Sequence, residues 1–202
     1  MKLDMPTPQI EELLLQALEH ERGGVHVYET ALGCVLNDDL KEEWTRYLDE
    51  TRHHVEVLED LCTTFGIDVE EETPGVLVVR HMGESLVKAM TMALQSGGRE
   101  AAQLVACECV VLAETKDHLN WELIGKCGEK LLKGEAAKLV KAACEEIEDQ
   151  EDEHLYHTKG WCRELWIETL GMKAILPPPE EAKHVKTAIG AARAELASAR
   201  RR

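Results

Sequence analysis

Two tetrapeptides in this chain share a spacing that suits metal chemistry. They are Glu50-Thr51-Arg52-His53 and Glu151-Asp152-Glu153-His154. Residues three apart on a helix stand one turn above each other on the same face. Each Glu-x-x-His can therefore aim a carboxylate and an imidazole at one ion. The second motif lies in EDQEDEHLYHTKGW, between AAKLVKAACEEI and CRELWIETLG, which read as two halves of one amphipathic helix. Acids and histidines in the middle of an apolar stripe need a partner that stabilises them there. Two more glutamates repeat a second spacing. Glu21 stands seven residues before Tyr28, and Glu114 seven before Trp121. Seven residues are nearly two helical turns, so each pair faces one way.

The set is then one glutamate per long helix and a histidine on two of them: Glu21, Glu50, His53, Glu114, Glu151 and His154. That is the ligand inventory of a dinuclear carboxylate site in a bundle core. Four carboxylates withdrawn from water cost several kcal/mol each, roughly, unless cations neutralise them. Two divalent ions do so. Oxygen and imidazole donors suit iron or manganese, and the lack of thiolates in the stripe argues against a structural zinc site.

The third-helix ligand has alternatives. Glu108 and Glu122 share a stripe with Leu104, Val111, Thr115 and His118. Glu114 shares an adjacent one with Cys107, Val111, His118 and Trp121. The step to an aromatic favours Glu114. Depth from a connecting loop placed at Cys127 to Leu131 favours Glu108. His118, one turn after Glu114, suits a group that orients a carboxylate. Tyr28 can be core, a hydrogen-bond donor to a ligand, or a redox-active phenol. His54 and His157 read as hydrogen-bonded or exposed histidines, since two histidines already complete the inventory. Glu148 can be an extra ligand, or, with Glu145, Glu146 and Asp149, part of an acidic face or a cation entry route.

The elements that must position these residues are helical. Leu, Ala, Val, Glu and Lys dominate and aromatics are 4% of the chain, which suits helices better than sheets. Long helices are expected at about 7–35, 39–65, 99–126 and 135–170, with a short one at about 81–95. The inward stripe of the second runs Leu40, Glu43, Tyr47, Glu50, His54, Val57 and Leu61, with His53 on its flank. That of the last runs Val140, Cys144, Ile147, Glu151, His154, Thr158, Trp161 and Leu165. Thr73-Pro74-Gly75 reads as a turn, and Gly125, Gly128 and Gly134 as a loop. The expected fold is all-α: an antiparallel four-helix bundle of two hairpins joined by a long crossover. It would occupy residues 1–176, with a Pro-initiated helical tail at 177–202.

At these residues the chain resembles the ferritin-like superfamily, which includes ferritins, bacterioferritins and rubrerythrins. The resemblance covers residues 7–65 and 99–170. It implies that Glu21, Glu50, His53, Glu114, Glu151 and His154 ligate two metal ions, with Tyr28 beside them. It implies iron, or manganese, reacting with dioxygen or peroxide: ferroxidase, peroxidase, catalase-like or oxygenase chemistry, with an electron donor where the reaction needs one. A homo-oligomer is compatible with it. The cysteine pairs of rubrerythrin's rubredoxin-like part are missing. Other readings are a metal-storage or cage-forming protein, a dimetal hydrolase in which a bridging hydroxide attacks the substrate, and a structural bundle acting through its tail.

Charge and composition narrow the classes. A formal charge of −16 over 202 residues disfavours general binding to nucleic acid or anionic membrane. No apolar run spans a bilayer, and MKLDMPTPQIEE lacks the apolar stretch of a signal peptide. The seven cysteines form no Cys-x-x-Cys pair, so the expectation is reduced thiols in a cytoplasmic protein.

Overall fold

A computed structural model describes residues 6–173. The expected 177–202 tail lies outside the described residues. Five helices follow in order: α1 (Pro8–Cys34), α2 (Asp38–Phe65), α3 (Pro74–Ser96), α4 (Gly98–Lys130) and α5 (Gly134–Thr169). No strand occurs among the described residues. Among these helices none is long and apolar enough to cross a membrane.

Local chemistry sets the starts. The Thr7 hydroxyl accepts from the Ile10 N–H, and Pro8 opens α1. The Asn37 side chain accepts from the Leu40 N–H, with Asp38 and Asp39 in the first turn of α2. Each cap satisfies a donor that would otherwise lack a partner, and the acids face the positive end of the helix dipole. Helix α2 stops at Gly66, whose φ of 72° is left-handed.

Two elements differ from the expectation. Thr73-Pro74-Gly75 is the beginning of α3, not a turn. Thr73 caps the Val76 N–H, and Pro74 lies in the first turn, where its missing N–H is harmless. The crossover is thus itself a helix of 23 residues, rather than a segment followed by a short helix at 81–95. Helix α4 also runs through Gly125 and Gly128 to Lys130. Those glycines allow α5 to approach. A Cβ on Gly128 would stand 2.8 Å from Val140 Cγ1.

Four helices enclose the centre. Contacts between α1 and α2 join Tyr28 to Tyr47 and Glu21 to His54. Those between α2 and α5 join Glu43 to His157 and His54 to Gln150. Tyr28 meets Glu114 and Glu21 meets Trp121 between α1 and α4. In every pair, numbers rise along one helix as they fall along the other. Helix α3 lies against α1 and α4. It approaches α1 closely at Gly23 and Gly83, and Arg80 reaches Glu19 at 2.7 Å.

The apolar core comes in two parts. One contains Tyr28, Trp44, Tyr47, Met90, Val110 and Trp161. The other contains Leu14, Leu18, Leu58, Phe65, Ile124 and Ile147. Between them, α1 supplies Glu21, α2 His54, α4 Glu114 and Asp117, and α5 Glu151 and His154, all buried. Each fully buried large side chain stabilises the fold by roughly 1.5–3 kcal/mol. All seven cysteines are free, and those at 34, 62, 107 and 109 are buried.

Candidate metal centre

Two groups of side chains converge in the polar layer. Glu21, His54, Asp117 and Glu151 form one, with ligand atoms all within 4.8 Å of one another. Glu114, Glu151 and His154 form the second on the same criterion. Glu151 belongs to both. The set is four carboxylates and two imidazoles, and none is more than 5% exposed.

The helical period explains the convergence. Glu114 and Asp117 are three apart on α4, as are Glu151 and His154 on α5, so each pair shares a face. On α2 the inward face carries Tyr47, Thr51, His54 and Leu58, all buried.

Both histidines present Nδ1 to the carboxylates and turn Nε2 away onto an oxygen. His54 Nδ1 lies 3.1 Å from Glu151 and 3.3 Å from Glu21, and its Nε2 is 2.8 Å from Gln150 Oε1. His154 Nδ1 lies 3.6 Å from Glu114, and its Nε2 donates to Glu50 Oε2 at 2.8 Å. A metal-binding histidine characteristically holds one nitrogen toward the ion while the other N–H is fixed by an oxygen. The carboxylates are positioned in the same way. Tyr28 donates to Glu114 Oε1 at 2.7 Å, and Trp121 Nε1 donates to Glu21 Oε1 at 2.7 Å.

Several of the unsatisfied buried atoms belong to the cluster. Glu21 Oε2, Glu114 Oε2, Asp117 Oδ1, both Glu151 oxygens and His54 Nδ1 are buried without a hydrogen bond. Buried polar atoms rarely stay so without a ligand. The donor set therefore fits divalent cations.

The charges tell the same story. Burial drives the Asp117 carboxyl well above the usual carboxylate range, and the neighbouring Glu151, Glu21 and Glu114 charges push it further. Burial also raises Glu151, to about 7, although the His54 imidazole 3.1 Å away pulls the other way. Burial disfavours a charged His54, but Glu21 and Glu151 outweigh it and hold the imidazolium up to about 11. His154 rises to about 9, against the effect of burial, through Glu114 and Glu50. Without cations, the cluster thus keeps protons to limit its own repulsion.

Comparison with protein-family models, with curated proteins and with solved structures returned no match.

Of the residues singled out from the sequence, the structure brings Glu21, Glu114, Glu151 and His154 together. Glu50 stands at the edge, 21% exposed, held by His154 and by Arg46 at 3.1 Å. His53 is not part of the cluster. Its side chain is 45% exposed and meets Glu146 at 2.7 Å. Adjacent helical residues differ by about 100°, so when His54 faces inward His53 cannot. Glu108 points away as well and accepts from Trp166 Nε1 at 3.0 Å on an exposed surface. His118 lies 3.4 Å from Asp152, not on a carboxylate of the cluster. Tyr28 is the hydrogen-bond donor to Glu114.

Two members were not selected from the sequence. His54 lies on the inward stripe of α2 as the sequence reads, but the three-residue motif favours its neighbour. Asp117 could have been found from its own three-residue step from Glu114. His157 also proves to be buried, in a separate network. Glu43 Oε1 accepts from Tyr47 at 2.7 Å and from His157 Nδ1 at 2.8 Å, while Oε2 accepts from Trp161 at 2.8 Å. The Tyr47 ring then packs on His154, 4.2 Å between centroids.

Proposed function

We propose that this chain is a dimetal carboxylate protein of the ferritin-like kind, an antiparallel bundle of two hairpins in which two groups of residues sharing Glu151 would each hold a divalent ion. The observation that carries the reading is the shared position of Glu151, whose two buried oxygens lack hydrogen bonds. Glu21, His54 and Asp117 would complete the sphere of one ion, and Glu114 and His154 that of the other. The inventory of four carboxylates and two histidines is unchanged from the sequence expectation. Asp117 takes the place of Glu50, and His54 that of His53.

Iron is the first choice of metal and manganese the second, because the donors are oxygen and imidazole nitrogen with no thiolate. A ferrous pair would supply two electrons to dioxygen or peroxide, and the proposed reaction class is such an oxidation. The chain's residues contribute the rest. Tyr28 and Trp121 orient carboxylates, Glu50 and Gln150 fix the imidazoles, and the apolar halves of the core restrict water. The test is anaerobic loading with ferrous iron followed by exposure to air. The reading expects rapid oxidation of the bound iron, with stoichiometric oxygen consumption and a new near-ultraviolet absorption. Bound ferrous iron that oxidises no faster than iron in buffer would contradict it.

A further inference from the structure

A cavity of about 480 Å³ opens between α4 and α5, and Glu151 is among its lining residues. Gly125 and Cys144 leave the space: a Cβ on Gly125 would stand 3.6 Å from the Cys144 sulfur.

The walls combine acids with lysines, and most of their charges are matched. Glu122 pairs with Lys126, and Glu145 with Lys141 at 3.4 Å. His118 lies 3.4 Å from Asp152. Glu148 is exposed and makes no salt bridge among the described residues. It stands three residues before Glu151 and three after Glu145, so three carboxylates occupy successive turns of α5, running from solvent to the centre. The last of them, Glu151, is buried, and neither of its oxygens has a hydrogen bond.

Resting on the reading of the polar layer as a metal centre, we infer that this cavity is the port through which divalent cations reach it. Glu148 draws the ion from solvent and hands it to Glu151. An ion so placed exchanges one carboxylate for another a single turn away, about 4.5 Å along the helix. A net negative mouth with less polar walls focuses the field on that path and raises the local cation concentration. A neutral organic substrate would gain nothing from Glu148, which is why the port takes ions.

The experiment follows Co²⁺ uptake by the full-length, metal-free protein, using the visible absorption of the bound ion in stopped flow and equilibrium dialysis for final occupancy. Glu148→Gln should slow uptake roughly threefold to tenfold and flatten its dependence on salt, because one steering charge is gone. Gly125→Leu should slow it more, by filling the passage. Both should reach the wild-type occupancy in the end. Glu108→Gln, an acid on α4 away from the cavity, should load at the wild-type rate. If the wild type loads and Glu148→Gln and Gly125→Leu both load equally fast, the ion enters elsewhere and the cavity is left to an organic substrate. A wild type that takes up no cobalt overturns the centre, and the port with it.

Discussion

Replacing Glu151 by glutamine isolates the cost of one buried charge. Burial, together with Glu21 and Glu114, holds this carboxyl at about 7, against 4.5 for the free side chain. The folded protein therefore binds a proton here more tightly than the unfolded chain does. The stability gained from that proton is complete below about pH 4.5 and is lost as the pH rises through about 7. At about 1.4 kcal/mol per pH step, metal-free wild type loses about 2 kcal/mol from this group between pH 5 and pH 7. For a chain of this size that is a fall in Tm of about 4–8 °C. His54 and His154, raised above 6.5 to about 11 and about 9, lose their contribution in the same direction, but only from about pH 6.5 upward. Asp117, raised by burial and by its neighbours, and the two histidines also titrate in wild type and variant alike, so the difference between the two proteins isolates the Glu151 carboxylate. Glutamine has the shape of the protonated acid and never ionises. Thermal melts followed by circular dichroism in chelator should show Glu151→Gln falling less steeply than wild type by about 2 kcal/mol over that window. Adding a divalent metal at pH 7 should restore the wild type by about 2.7 kcal/mol at a hundredfold excess over Kd, and should do little for the variant. A variant curve as steep as wild type would refute the clustering of charges on Glu151.

Other substitutions test the geometry. His54→Ala should abolish loading of at least one ion per chain, while His53→Ala, on the exposed side of α2, should load as wild type; metal analysis after reconstitution decides it. Gly128→Ala should lower Tm, because the added Cβ meets Val140 Cγ1 at 2.8 Å and overpacking of this kind costs about 1–3 kcal/mol, more than the ~1 kcal/mol gained in helix propensity. Gly33→Ala has nothing within 4 Å of the new methyl and should raise Tm instead.

Helix positions were legible because apolar periodicity and capping residues act locally. α1 and α2 are capped by Thr7 and Asn37, polar side chains that precede the first residues of each stripe. The start of α3 is not legible in the sequence because Thr-Pro-Gly suits both a turn and a capped helix, and what distinguishes them is the packing of the following turns. The extension of α4 through Gly125 and Gly128 depends on close approach to α5, which no local rule carries. That extension also bears on the third-helix ligand. With α4 ending at Lys130, Glu114 and Glu151 stand at nearly equal distances from Leu132, so depth selects Glu114 rather than Glu108. The chemistry of the site was legible as an inventory, since acids within an apolar stripe are costly wherever the partner lies. Which of two adjacent histidines points inward was not decided by the three-residue spacing. It follows from the face that Tyr47, Thr51 and Leu58 turn toward the neighbouring helices.

The most direct test of the central claim is metal stoichiometry. Metal-free protein is titrated anaerobically with ferrous iron, and in parallel with manganese, with elemental analysis after dialysis. The account predicts two ions per chain, falling below two in Asp117→Asn and lost in Glu151→Gln. No bound ion, or one tightly held zinc that these variants leave in place, would contradict it.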